Sequence, residues 1–190
     1  MKRLLSFLTV LLLFICLSSS SCKKDKSKSP VDQLPPETQT GANTFGCLVD
    51  GKAFKPAGSA LSGPNLACTY QYIYLGSSSG YVFGLHADNK KDPCDISGIG
   101  LGIDSSLVIE GNYILKNAKK GQFGADFIVN KCFNPLIIYS TSDIVTGLLT
   151  IKKMDTINQI VSGTFWFDAV NDNGDIVKVT DGRFDVRFTR

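Results

Sequence analysis

Histidine is almost missing from this chain: His86 is the only one among 190 residues. A histidine-based metal cluster is thereby excluded, and so is any site that needs two imidazoles. Glutamate is nearly as scarce, with only Glu37 and Glu110 against 15 aspartates. The good helix formers are therefore thin on the ground, while glycine, serine, threonine, asparagine and aromatic residues are plentiful. That balance favours strands and turns. No pair of cysteines has CxxC spacing, which excludes the usual redox and zinc motifs. No segment after Leu17 is apolar for long enough to read as a membrane span. Concentrated basic charge, the footprint of nucleic-acid binding, is absent too.

What is present begins at the N-terminus. Met1-Lys2-Arg3 is a positive head, Leu4 to Leu17 is an apolar run, and Ser18 to Ser21 leads into Cys22. The run is too short to span a bilayer and has the proportions of a signal peptide. With its cysteine it resembles a bacterial lipoprotein signal, although serine rather than leucine stands three residues before Cys22. The resemblance implies a signal peptide over 1–21 and a lipidated N-terminus at Cys22. An ordinary signal peptide with Cys22 incidental is the bland alternative. Without residues 1–21 the chain carries 18 basic and 17 acidic side chains, a balance of about +1.

Residues 22–43 read as a lipidated N-terminus and flexible tether. The segment is polar, holds three prolines and has little apolar periodicity to offset its ordering entropy. Fully flexible, it would span roughly 25 Å. No Asp follows Cys22, and no acidic run follows it either. By comparison with known lipoproteins, this favours an outer-membrane lipoprotein facing the periplasm over surface display.

From Thr44 to Arg190 short alternating runs are separated by turn signals, as expected of one β domain. Asp50-Gly51 and Asn173-Gly174 are two-residue hairpin signals. About ten strands at near-regular spacing predict an all-β, antiparallel β-sandwich, with a lipocalin-like closed barrel as the alternative. Asp104–Leu107 reads as a short helical turn. Phe184, Val186 and Phe188 alternate with Arg183, Asp185 and Arg187, so one face of the last strand is buried and the other wet. By the same parity, Val161, Phe165 and Phe167 join Ile157 in the expected core.

Two stretches, Leu34 to Pro56 (LPPETQTGANTFGCLVDGKAFKP) and Ser162 to Phe188 (SGTFWFDAVNDNGDIVKVTDGRFDVRF), resemble uncharacterised Bacteroidetes lipoproteins carrying a domain of unknown function. The resemblance implies location and fold and supplies no catalytic residues. Gly51, Gly174 and Gly182 read as left-handed turn positions, and Gly46 as a close approach or bulge.

Cys47, Cys68, Cys94 and Cys132 are candidate disulfide cysteines, with three pairings open and four buried thiols as the alternative. Tyr70, Tyr72 and Tyr74 share one strand face, and Trp166 falls on the polar parity beside Phe165 and Phe167. Together they are the candidate ligand platform, since an exposed aromatic face can hold a sugar or peptide. The competing reading is that these rings pack beneath another layer. His86 belongs on the outward face of its strand. The oxygen-rich segments Asp88–Asp95 and Asn171–Asp175 lack full calcium-loop spacing and read as turns. Asp126 and Asp168 lie on polar parities, so an Asp-dependent hydrolase is a further alternative. No cofactor or metal is expected. The leading reading is a non-enzymatic binding or structural module of the envelope, whose partners are the membrane through Cys22 and a glycan, peptide or envelope protein. A carrier of a small apolar ligand is the second reading.

Overall fold

The computed structural model describes residues 28–59, 63–74 and 79–190. The signal peptide, Cys22 and most of the Gly76–Gly80 loop lie outside the described residues. Among the described residues twelve strands form, where the spacing predicts about ten. The first six are β1 (Thr44–Val49), β2 (Lys52–Phe54), β3 (Ala57–Gly58), β4 (Leu66–Ile73), β5 (Gly80–Asp92) and β6 (Asp95–Ile103). The other six are β7 (Gly111–Leu115), β8 (Gly124–Lys131), β9 (Ile137–Ser140), β10 (Gly147–Asp155), β11 (Ile160–Val170) and β12 (Ile176–Arg187).

Nine strands follow one path, β2-β1-β12-β11-β9-β8-β6-β5-β3. β10 lies beside β11 and carries β7, and β4 lies beside β5. All these ladders are antiparallel except β3 on β5, which is parallel. The sheet curls into an open half-barrel that is sandwich-like. The barrel alternative is corrected by this opening: β9 meets β11 at the single pair Val170 and Ser140. On the other side the end of β12 reaches β4, where Thr189 N–H donates to the Cys68 carbonyl at 2.9 Å.

The inner face is one apolar cluster. Phe165, Phe167 and Ala169 of β11 pack with Phe184, Val186 and Phe188 from the end of the chain and with Phe83, Leu85 and Ile99 from β5 and β6. Several sequence expectations are corrected. Ile157 lies in the turn before β11 and is 90% exposed, because the core alternation begins at Ile160. Asp104–Leu107 is not helical; among the described residues the helical turn is a 3-10 turn at Val31–Gln33. Gly182 has no left-handed backbone: Asp181 carries the positive φ of 54°. A Cβ on Gly182 would instead sit 2.6 Å from the Phe165 ring.

The tether expectation also changes from Leu34 onward. Leu34 is buried, and Pro35 packs so close to Gly46 that a Cβ there would lie 2.6 Å from its Cδ. Downstream, Asp185 of β12 is fully buried and gathers the backbone of the segment. Its carboxylate accepts from Thr38 Oγ1 at 2.6 Å, Thr40 N–H at 2.9 Å, Gly41 N–H at 2.7 Å and Ala42 N–H at 3.2 Å. A polar segment with little to bury is thus ordered by one buried acceptor, and residues 34–43 form a strap across the outer face of β11 and β12.

Candidate functional site

Trp166 stands on the outer face of β11. Its neighbours Phe165 and Phe167 point into the core, so strand alternation sends the indole outward, where it is 48% exposed. Pairing then builds two rows across the sheet. Trp166 is opposite Leu148 of β10, and Leu148 is opposite Ile114 of β7, which gives an apolar row. One step along, Arg183 of β12, Thr164, Thr150 and Asn112 form a polar row. Thr150 Oγ1 donates to Asn112 Oδ1 at 2.8 Å, fixing the far end of that row.

A bulge shapes the near end. Phe165 pairs with Gly182 but Phe167 pairs with Val179, so β12 has one extra residue opposite Trp166. The same extra residue breaks the register with β1 between Gly46 and Leu48. The left-handed residue Asp181 absorbs it, and the Asp181 carbonyl accepts from Arg183 Nε at 3.2 Å. Bulges of this kind re-aim side chains. The result is a groove of about 310 Å³ with Trp166, Arg183, Thr150 and Thr164 among its lining residues. Lys152 and Glu37 close it, joined to each other in an ion pair. Two cations and two anions line it, counting Asp181, so its formal charge is balanced. Chemically the groove offers a flat apolar surface beside hydroxyl, guanidinium, ammonium and carboxylate groups.

The tyrosines do not join Trp166. Tyr70 is a core residue, stacked on Tyr81 at 5.0 Å and set edge-on to Phe188 at 5.6 Å. Its hydroxyl accepts from Val108 N–H at 3.3 Å. Tyr72 near the end of β4 and Tyr74 just beyond it follow Tyr70 out of the core, 44% and 84% exposed, with ring centroids 4.7 Å apart. Tyr72 projects from the core-facing side of β4 with Tyr74 against it, whereas Trp166 is on the outer side of β11. The expected single platform is therefore two separate features, and Tyr70 belongs to neither surface.

Among the described residues one disulfide is present, Cys94–Cys132, where β6 and β8 meet. Cys47 and Cys68 are buried thiols. Burial pushes the Cys68 thiol up to about 12 and raises Cys47 as well, so neither is a nucleophile at neutral pH. His86 is exposed on the outer face of β5. Asp126 lines a cleft with Lys119 and Lys120, while Asp168 is paired across β12 with Lys178, so no ladder brings the two carboxylates together. In the Asn171–Asp175 turn, Asn171 Oδ1 accepts from the Asn173 and Asp175 N–H groups, which is ordinary turn chemistry.

The sequence pointed to Trp166 and missed its partners. Leu148, Thr150 and Lys152 could have been placed outward, because Leu149 and Ile151 between them are core residues. Their position beside Trp166 depends on register, which parity does not supply.

Residues 99–186 match a protein family described as a domain of unknown function, DUF6252. The match spans both rows of the groove from Asn112 to Arg183 and stops short of Glu37, which precedes it. No curated protein and no solved structure matches the chain.

Proposed function

We propose that this protein is a lipid-anchored, non-enzymatic binding module of the bacterial outer envelope, and that the Trp166 groove holds a glycan chain. The anchor is Cys22, the location the outer membrane, and the domain faces the periplasm. One observation carries the ligand class: an apolar row ending in a half-exposed indole lies directly beside a row of hydroxyl, amide and guanidinium groups. A pyranose has the same division, with C–H groups on its faces and hydroxyls around its edge. The indole accepts the face, and Thr150, Thr164 and Arg183 are within the adjacent row for the edge. The groove is open and elongated across strands, which suits a chain of sugars more than one enclosed small molecule.

Affinity electrophoresis through gels containing neutral polysaccharides tests the ligand class. The protein is expected to be retarded by at least one of them, and Trp166→Ala to run as if the polysaccharide were absent. Equal retardation of both forms would contradict the reading. Labelled palmitate tests the anchor: incorporation is expected in the wild type and lost in Cys22→Ala, and equal behaviour of the two would remove it.

A further inference from the structure

Glu37 is a groove residue supplied from outside the strands, and the way it is held is unusual. It precedes Thr38, the first of the strap residues whose hydrogen bonds converge on Asp185. Lys153 Nζ, from β10, donates to the Gln39 carbonyl at 3.1 Å, so the two residues after Glu37 are both tied down. At the strap's end Asn43 Oδ1 accepts from Arg187 N–H at 2.9 Å. Beneath the strap lie Ser162 and Asp185, paired across β11 and β12 and both buried although they point outward. The strap therefore covers one stretch of the outer face and leaves the Trp166 stretch beside it open.

Resting on the glycan reading above, we propose that the strap is a wall of the Trp166 groove and that Glu37 is its specificity-determining residue. With Glu37 in place beside Asp181 the charges of Lys152 and Arg183 are balanced, and the groove takes uncharged sugars. Without it two cations face the ligand against Asp181 alone, the groove is left with one net positive charge, and acidic sugars become acceptable. Asp185 touches no ligand; it is a positioning residue that sets Glu37 in place through the strap. Glu37 precedes residues 99–186, so the groove is completed by a part of the chain beyond the family match.

Trp166 is the sole tryptophan, so its fluorescence reports on this groove alone. The full chain in non-ionic detergent would be quenched with iodide, which senses charge, and with acrylamide, which senses access. Glu37→Gln is expected to raise iodide quenching roughly two- to three-fold at low ionic strength and to leave acrylamide quenching unchanged. Asp185→Asn is expected to raise both, because the strap lifts. Thr38→Val, which removes one bond and keeps the buried carboxylate, repeats that result more weakly should Asp185→Asn fail to fold. Wild-type quenching in Glu37→Gln and Thr38→Val would overturn the proposal. Titration with tetragalacturonate should shift the emission of Glu37→Gln and not of the wild type, and equal shifts would overturn the charge selection. The expected quenching pattern with no response to a neutral tetrasaccharide such as cellotetraose would uphold the strap and count against the glycan reading alone.

Discussion

The two halves of the sheet share one core and differ on their outer faces. On β6 the outward positions are Gly98, Gly100 and Gly102, and no atom lies within 4 Å of where a Gly100 Cβ would stand. In the next row Gly102 has glycine on both sides, Gly84 and Gly124, while Gly100 itself lies between His86 and Asp126. On β10 to β12 the outward positions carry Thr150, Lys152, Trp166 and Arg183, and a strap lies over the rest. Both halves bury their inner side chains equally well. The bare glycine rows of β6 show that folding asks little of those outward positions, and the Trp166 half is furnished beyond that. That contrast is the main physical support for placing function at Trp166.

The comparison can be broken first on the bare half. The Cys94–Cys132 bridge closes a loop with a sequence separation of 38 and pins the end of β6 to β8. Replacing both cysteines with serine should cost about 4 kcal/mol by loop entropy, read as the denaturation midpoint under oxidising conditions. Binding at the Trp166 groove should survive it.

Asp185 tests the furnished half at a slightly smaller scale. Asp185→Ala leaves several strap donors without an acceptor and should cost about 3 kcal/mol. Its titration has a defined sign. Burial pushes the Asp185 carboxyl up, but the Thr38 hydroxyl and the Thr40, Gly41 and Ala42 amides outweigh that and hold it below the ordinary value of 3.8. A carboxyl lowered on folding stabilises fully above its unfolded value, and that stability is lost as pH falls through the folded value. Acid melting of the wild type should therefore steepen below pH 3.8, and Asp185→Asn should lose that part of the slope.

Glycine substitutions separate the packed inner face from the open outer face most finely, since Gly163 points inward between Phe184 and Ile151 and Gly100 points outward. A Cβ on Gly163 of β11 would lie 2.1 Å from the Thr150 carbonyl oxygen, so Gly163→Ala should lose about 2 kcal/mol as strands are pushed apart. Gly100→Ala meets open space and should change stability by no more than about 0.5 kcal/mol. Paired urea melts would decide it, and equal losses would erase the distinction between the two faces.

Strand parity made much of this legible from the sequence. Phe165 and Phe167 inward with Trp166 outward, and Phe184, Val186 and Phe188 against Arg183 and Arg187, follow from period-two alternation alone. The hairpin glycines Gly51 and Gly174 have the positive φ that their turns require. The long-range partners were not legible. Tyr70, Tyr72 and Tyr74 share a face as their spacing requires, yet Tyr70 is capped by Phe188 from the far end of the chain, so exposure changes along one face. Asp185 read as a wet position because its acceptors' partners, Thr38 to Ala42, lie in a segment whose composition suggests disorder. A single buried carboxylate 143 residues or more away in sequence orders that segment, and no local pattern records it.

The most direct test of the central claim is the emission maximum of Trp166 in the full chain, titrated with neutral oligosaccharides. A saturable blue shift, abolished by Arg183→Ala with the melting temperature unchanged, is the predicted result. An emission maximum that stays fixed across neutral and acidic sugars, while the folded state is intact, would contradict a glycan site at Trp166.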